Sequence, residues 1–176
     1  MDDSLSLALK EAYASAPTNV VIYHTIELRH PAFTSPIRVV RDSEDLSARL
    51  ELSAPVDAGE VVQFVAFGFD FTKPEVSATG LPQVSLEIDN VDRSIVANIE
   101  AALGSTELVE LTYREFLSTD LVAPSSAPQN NPPVSLTIMS VTADVFKIRA
   151  VAGFPNFMNK RFPRVEYSAD VFKALQ

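Results

Sequence analysis

The chain has 176 residues, no cysteine, and 23 acidic against 14 basic side chains, a formal net charge of −9. A chain this long buries a core without disulfides or metal, and the missing thiols exclude a disulfide framework, a cysteine nucleophile and any cysteine-held zinc or iron–sulfur site. The acidic balance argues against specific nucleic-acid binding, because counterion release at phosphates needs a surplus of lysine and arginine; it fits solubility alone, or a surface past which DNA moves without sticking.

The first fifteen residues read as a short helix, capped by Ser4, with Leu5, Leu9, Ala12 and Tyr13 on one face. After Ala16-Pro17-Thr18-Asn19 the apolar period changes from that of a helix to that of a strand. Val20, Ile22, His24, Ile26 and Leu28 alternate with Val21, Tyr23, Thr25, Glu27 and Arg29, which predicts a strand with one largely buried face. His30-Pro31 and Ser35-Pro36 bracket a turn, and strands are expected at Ile37–Arg41 and near Ala48–Leu52. Val61 to Phe71 reads as one strand, with Val61, Val65, Phe67, Phe69 and Phe71 on one face and Phe64 and Ala66 on the other. A sheet core explains aromatics placed this way more often than a ligand box does.

Thr79-Gly80-Leu81-Pro82 turns the chain into the strand Val84–Ile88. Asp92 then caps an internal helix with the apolar stripe Ile95, Val96, Ile99, Ala102 and Leu103, stopped by Gly104. Another strand runs from Leu108 to Leu117. The segment from Ser118 to Pro133 contains Pro124, Pro128, Pro132 and Pro133 and little that is apolar, so it reads as disordered or as a contact element. Val134–Val141 and Val145–Val151 form a hairpin about Thr142-Ala143-Asp144. The closing segment 153–176 is irregular but carries Phe154, Phe157, Phe162, Tyr167, Phe172 and Leu175. Strands do not alternate with helices, so the expected class is mainly β (α+β): an antiparallel β-barrel or sandwich with one packed internal helix and a short N-terminal helix, forming a single domain over 1–176.

Chemistry-bearing patterns are sparse. His24 falls on the apolar face of the first strand and is expected to hold a backbone partner; His30, before a proline, reads as turn structure. Together they lack a third ligand for zinc. Asp89-Asn90-Val91-Asp92 lacks the glycine and the terminal glutamate of a calcium loop, and closes a strand and caps a helix instead. The five glycines are scattered, so no phosphate loop forms, and no serine sits in a nucleophile elbow. No catalytic residue, cofactor or metal is expected. Nor is a membrane anchor: no stretch approaches the roughly 20 apolar residues that span a bilayer, and the N-terminus opens with acids where a signal peptide is basic.

The order of segments carries a resemblance. The strand Val20–Leu28 precedes a Phe-rich strand. Pro82-Gln83-Val84-Ser85-Leu86-Glu87-Ile88-Asp89-Asn90-Val91-Asp92-Arg93 follows, then a helix and a strand ending Tyr113-Arg114-Glu115-Phe116-Leu117, and the chain closes on Arg161-Phe162-Pro163…Tyr167…Phe172. This layout resembles a family of small bacteriophage and prophage tail proteins, and is similar to the N-terminal hub domain of tail-tip proteins of lambda-like phages. Where such proteins end in Phe-Pro-Gly-Leu, this chain has Phe172-Lys173-Ala174-Leu175, and it lacks the cysteines of their iron–sulfur module.

The resemblance implies a structural component of the virion tail, made in the host cytoplasm. It would form a homo-oligomeric hub ring that meets the distal tail protein and the hub and fibre proteins. Assembly contacts would then lie in the loop, at Pro124, Pro128 and Pro132, and in the aromatic arm, at Phe154, Phe157, Phe162, Tyr167, Phe172 and Leu175; internal packing is an equal reading of the arm. A small-molecule-binding β-barrel is the alternative function, and a hydrolase with convergent carboxylates a third.

Overall fold

The structure, a computed structural model, describes residues 7–15, 19–72, 83–89, 98, 101–102, 105, 107–122, 128–130, 132–144 and 147–154. One helix, α1 (Leu7–Ser15), is followed by β1 (Ile22–Arg29), β2 (Ile37–Val40), β3 (Leu46–Arg49), β4 (Val61–Ala66), β5 (Phe69–Phe71), β6 (Gln83–Asp89), β7 (Glu110–Leu117), β8 (Val134–Ala143) and β9 (Lys147–Gly153). They form one nine-stranded sheet in the order β3-β4-β2-β1-β7-β8-β9-β6-β5. All pairs are antiparallel except β2 with β4. The mainly β class is as the sequence predicts.

The segment expected as one strand from Val61 to Phe71 is two, and the break explains how the sheet curls. β4 lies near one end of the sheet and β5 at the other, yet only Phe67 and Gly68 separate them. The Phe67 N–H still bonds the Val40 carbonyl at 2.9 Å, while the Gly68 carbonyl accepts from Asp89 N–H at 2.9 Å. The segment thus changes partner from β2 to β6, and the sheet must roll until its ends meet there. Gly68 leaves room at this crossing for the Asp89 carboxylate, whose Oδ2 would lie 2.7 Å from a Cβ and would have to move aside for one. Face parity shifts with the break: Phe64 joins one core and Phe69 another, while Val61 and Val65 are exposed.

The inside of the roll is a filled apolar core. Ile26 and Leu28 of β1, Leu111 and Tyr113 of β7, and Val84, Leu86 and Ile88 of β6 meet Leu136, Ile138, Ile148, Ala150 and Ala152 of β8 and β9. β1 and β7 run through the middle of the sheet, and here the expectation of one buried face fails. Thr25 and Glu27 are fully buried on the second face, as are Thr112 and Arg114 opposite them. That face is covered by β3, β4 and the β3–β4 connection (residues 50–60), which enclose a second core of Val40, Leu46, Ala48, Leu50, Ala54, Phe64 and Phe116. β3 lies earlier than expected, at Leu46–Arg49, and its pairing with β4 runs out just beyond Arg49, where the Leu50 N–H still bonds the Glu60 carbonyl in register.

α1 closes one mouth of the barrel: Leu9 and Ala12 pack on Leu117, Val20 and Ile22. The β8–β9 hairpin forms, but Thr142 and Ala143, expected in its turn, pair with Arg149 and Ile148, so the chain turns between Asp144 and Lys147, which are bonded to each other; a bulge lies between Ile138 and Ser140. Most of the expected internal helix and its cap at Asp92 lie outside the described residues; Asn98, Ala101 and Ala102 are helical, and Ala102 joins the inner core.

Candidate functional site

Cross-strand register sets two polar sites on opposite faces of β1 and β7. Inside the barrel, His24 pairs with Glu115 and Ile26 with Tyr113; outside, Thr25 pairs with Arg114, Glu27 with Thr112 and Arg29 with Glu110. β2 adds Arg38 opposite Glu27 on the same outer face.

The outer site is a charge network beneath the β3–β4 connection. Arg114 is fully buried and makes a bidentate pair with Glu51, Nε to Oε2 and Nη2 to Oε1, both 2.8 Å. The buried Glu27 accepts from Arg38 Nε at 2.8 Å and lies 3.3 Å from Arg29 Nε and 3.7 Å from Arg114 Nη1. Arg38 continues to Asp57 at 2.7 Å. The connection is shaped to deliver those acids: Asp57 has a positive φ of 53° and Gly59 one of 73°. Burial acts to lower the Arg38 pKa, but its hydrogen bonds and charges from Glu27 and Asp57 outweigh that and raise it. Glu27 Oε1, Arg29 Nε and Arg114 Nη1 meet without a well-formed hydrogen bond among them. Such a cluster is held by mutual charge, and removing one member strands the rest.

Arg29 leads from this network into a cleft of about 440 Å³. Its guanidinium bonds Glu110 at 2.9 Å, and the walls are Pro31, Phe33, Pro36, Pro55, Val56 and Leu108. His30 fixes one wall, its Nδ1 accepting from Ala32 N–H at 3.0 Å and its Nε2–H donating to the Glu107 carbonyl at 3.2 Å. His30 is therefore turn structure, as the sequence predicts. Apolar walls with an arginine–glutamate pair suit binding of a side chain or segment, and Thr34, Ser35 and Glu107 add polar groups to the lining.

The inner site caps the barrel mouth under α1. Tyr113 donates to Glu115 Oε1 at 2.7 Å, and Tyr13 of α1 donates to the same oxygen at 2.8 Å. With the Tyr113 proton committed there, His24 presents its Nδ1–H to the Tyr113 oxygen at 2.7 Å. The expected backbone partner of His24 is thus a side-chain hydroxyl. Burial, then the Glu115 charge, pushes the Tyr113 pKa far up, so the phenol keeps its proton and cannot serve as a base. The cavity beside it, between His24, Arg41, Phe69, Phe71 and Tyr113, is about 60 Å³, room for water rather than a substrate. Among the described residues no group of His, Asp and Glu is arranged to hold a metal.

A family described as a domain of unknown function, DUF1833, matches residues 8–167. The chain belongs to that family. The match takes in every strand and both polar sites. No curated protein matches the chain.

The residues expected as assembly contacts fare differently. Pro132 and Phe154 are exposed, and Pro128 is buried. Gln129 and Asn130 beside it are buried too, because they close the half of the β7 edge that β8 leaves open. Gln129 N–H bonds the Glu115 carbonyl at 2.8 Å, Asn130 Oδ1 accepts from Glu115 N–H at 2.9 Å, and Asn130 Nδ2 donates to the Tyr113 carbonyl at 3.1 Å. Pro124, Phe157, Phe162, Tyr167, Phe172 and Leu175 lie outside the described residues. Sequence reading missed the outer charge network. Its signal was there: Glu27, Arg29, Arg38, Glu110 and Arg114 hold the outward parity of three strands with opposite signs in register.

Proposed function

We propose that this chain is a structural component of a bacteriophage tail tip, one segment of a hub ring joining the tail tube to the distal tail proteins. The observation that carries the reading is the filled barrel. Seven strands send interlocking apolar side chains into its interior, so the fold supports a rigid building block better than a container. Its concave surface is an apolar-walled cleft on the rim, of the kind a neighbouring protein segment fills. The segment order resembling hub domains supplies the class of partner, and the net charge of −9 suits a ring through which DNA passes unbound. A small-molecule reading would have to use a surface cleft, the one on the rim or the charged one of about 370 Å³ between Arg41, Asp70, Glu87 and Lys147, since apolar side chains fill the interior.

The test is the mass of the chain in solution, alone and mixed with the tail proteins encoded beside it. A defined ring or co-complex is expected. Persistent monomers with those partners present, at any concentration, would overturn the reading.

A further inference from the structure

Each described arginine has a carboxylate within ion-pair reach except Arg49. Its guanidinium is instead fixed by backbone carbonyls, Nε to Val122 at 3.0 Å and Nη1 to Gly59 at 2.6 Å. Exposed aliphatic side chains lie on the same surface. Val61 is its cross-strand partner, Val65 lies further along the same strand face, and Leu52 reaches over Gly59, where a Cβ would meet its Cδ2 at 2.8 Å. Leu52 is 85% exposed, Val122 55%, Val65 51% and Val61 44%. An oriented cation without an anion, flanked by exposed aliphatics, is unusual on a chain whose acids outnumber its bases 23 to 14.

The complementary surface is on the same chain. Leu108, 61% exposed, stands between Glu107 and Glu110 at the lip of the rim cleft. No described group pairs with the Glu107 carboxylate. The two surfaces adjoin different ends of β7, Leu108 preceding its first residue and Leu121 and Val122 following its last. The connection 50–60 runs between them, with Leu52 and Gly59 at the Arg49 patch and Pro55 and Val56 at the cleft. Two different, complementary patches on one rigid body make a head-to-tail contact, which closes into a ring when the rotation allows.

We propose that the Arg49 patch of one copy docks on the Glu107–Leu108 lip of a second copy of this chain. The inference rests on the ring reading above and names the surfaces that build the ring. The absence of cysteine makes the test clean. Val61→Cys in one preparation and Leu108→Cys in another are mixed and treated with a short bis-maleimide. A crosslinked dimer is expected, well above the yield of a control pairing Leu108→Cys with Met139→Cys, another exposed site. Adding Arg49→Glu to the first partner, or Glu107→Arg to the second, lowers the yield about tenfold or more through like-charge repulsion. Both together restore it.

Arg49→Glu also removes two backbone bonds, so Glu107→Arg is the variant that isolates the contact, and thermal melts verify the fold of each. A yield at control level, or charge reversals without effect, overturns this contact. The tail reading fails separately, in the mass measurement with tail proteins, which the crosslinking does not involve.

Discussion

On the barrel side of β1 and β7, Ile26, Leu28 and Leu111 share a core with apolar side chains from five other strands; on the side covered by the β3–β4 connection (the flap), Arg114 meets Glu51, and Glu27 meets Arg29 and Arg38, which reaches Asp57. Both faces are buried, and their chemistry is opposite. The apolar face lowers free energy by removing area from water, and many related packings serve that end. The charged face pays desolvation, yet admits one placement of the β3–β4 connection, the one that brings Glu51 to Arg114 and Asp57 to Arg38. The comparison teaches a division of labour. The inner face supplies stability, and the outer face fixes where the covering segment lies, and with it the positions of Val56 and Arg29 at the cleft.

The largest expected effect comes from breaking the outer network at its centre. Arg114→Leu leaves Glu27 and Glu51 short of their buried cation and is expected to cost about 3–5 kcal/mol, read as a drop in the urea midpoint. Replacing Glu27, Glu51 and Arg114 together by leucine or methionine is expected to recover most of that loss, while proteolysis within residues 50–60 increases because the connection has lost its specific anchor. If the triple variant is as unstable as the single one, the charges stabilise the fold outright and the division fails.

A smaller effect tests the polar group that intrudes on the inner face. Tyr113→Phe keeps the stack on Phe71, whose ring centroid is 4.5 Å away, and removes only the hydroxyl between His24 and Glu115. The buried carboxylate loses a donor, and about 1–2 kcal/mol of stability is expected to go with it. His24 loses its Nδ1 partner, so its ring resonances should change in an NMR spectrum while those of His30 stay fixed. An unchanged melting temperature would mean that the barrel mouth is held by Leu9, Ala12 and Leu117 alone.

Much of this was legible in the sequence, for a physical reason. Alternation marked β1, β6 and β7 because a strand with one apolar face repeats every two residues, and Val84, Leu86 and Ile88 are buried as that period demands. The second buried face was not legible, because Glu27 and Arg114 look like solvent-facing residues until a distant segment covers them. The Phe67–Gly68 break was hidden for the same kind of reason. A change of strand partner is a tertiary event, and the glycine that permits it resembles any other. Gln129 and Asn130 show the converse, polar loop residues buried because their amides complete a strand edge.

The smallest expected effect lies on the far side of the barrel, where the same chemistry is met in water. Glu87 on β6 bonds Lys147 and accepts from Arg149 Nε at 3.0 Å, both on β9. The Lys147 bond first, then that of Arg149, lowers the Glu87 pKa below its ordinary value. A carboxylate whose folded pKa is depressed adds stability above its unfolded pKa, about 4.3, and loses it as pH falls through the folded value. The stability difference between the wild type and Glu87→Gln should therefore be flat at neutral pH and shrink towards zero only below about pH 4. Other acids titrate in both proteins and cancel in the difference. The group is partly exposed and its partners more so, so the difference should be small and should fade with added salt, which reaches this pair but not the one beneath the flap. An effect as large as that of Arg114→Leu would erase the distinction between charges that face water and charges that fix a buried segment.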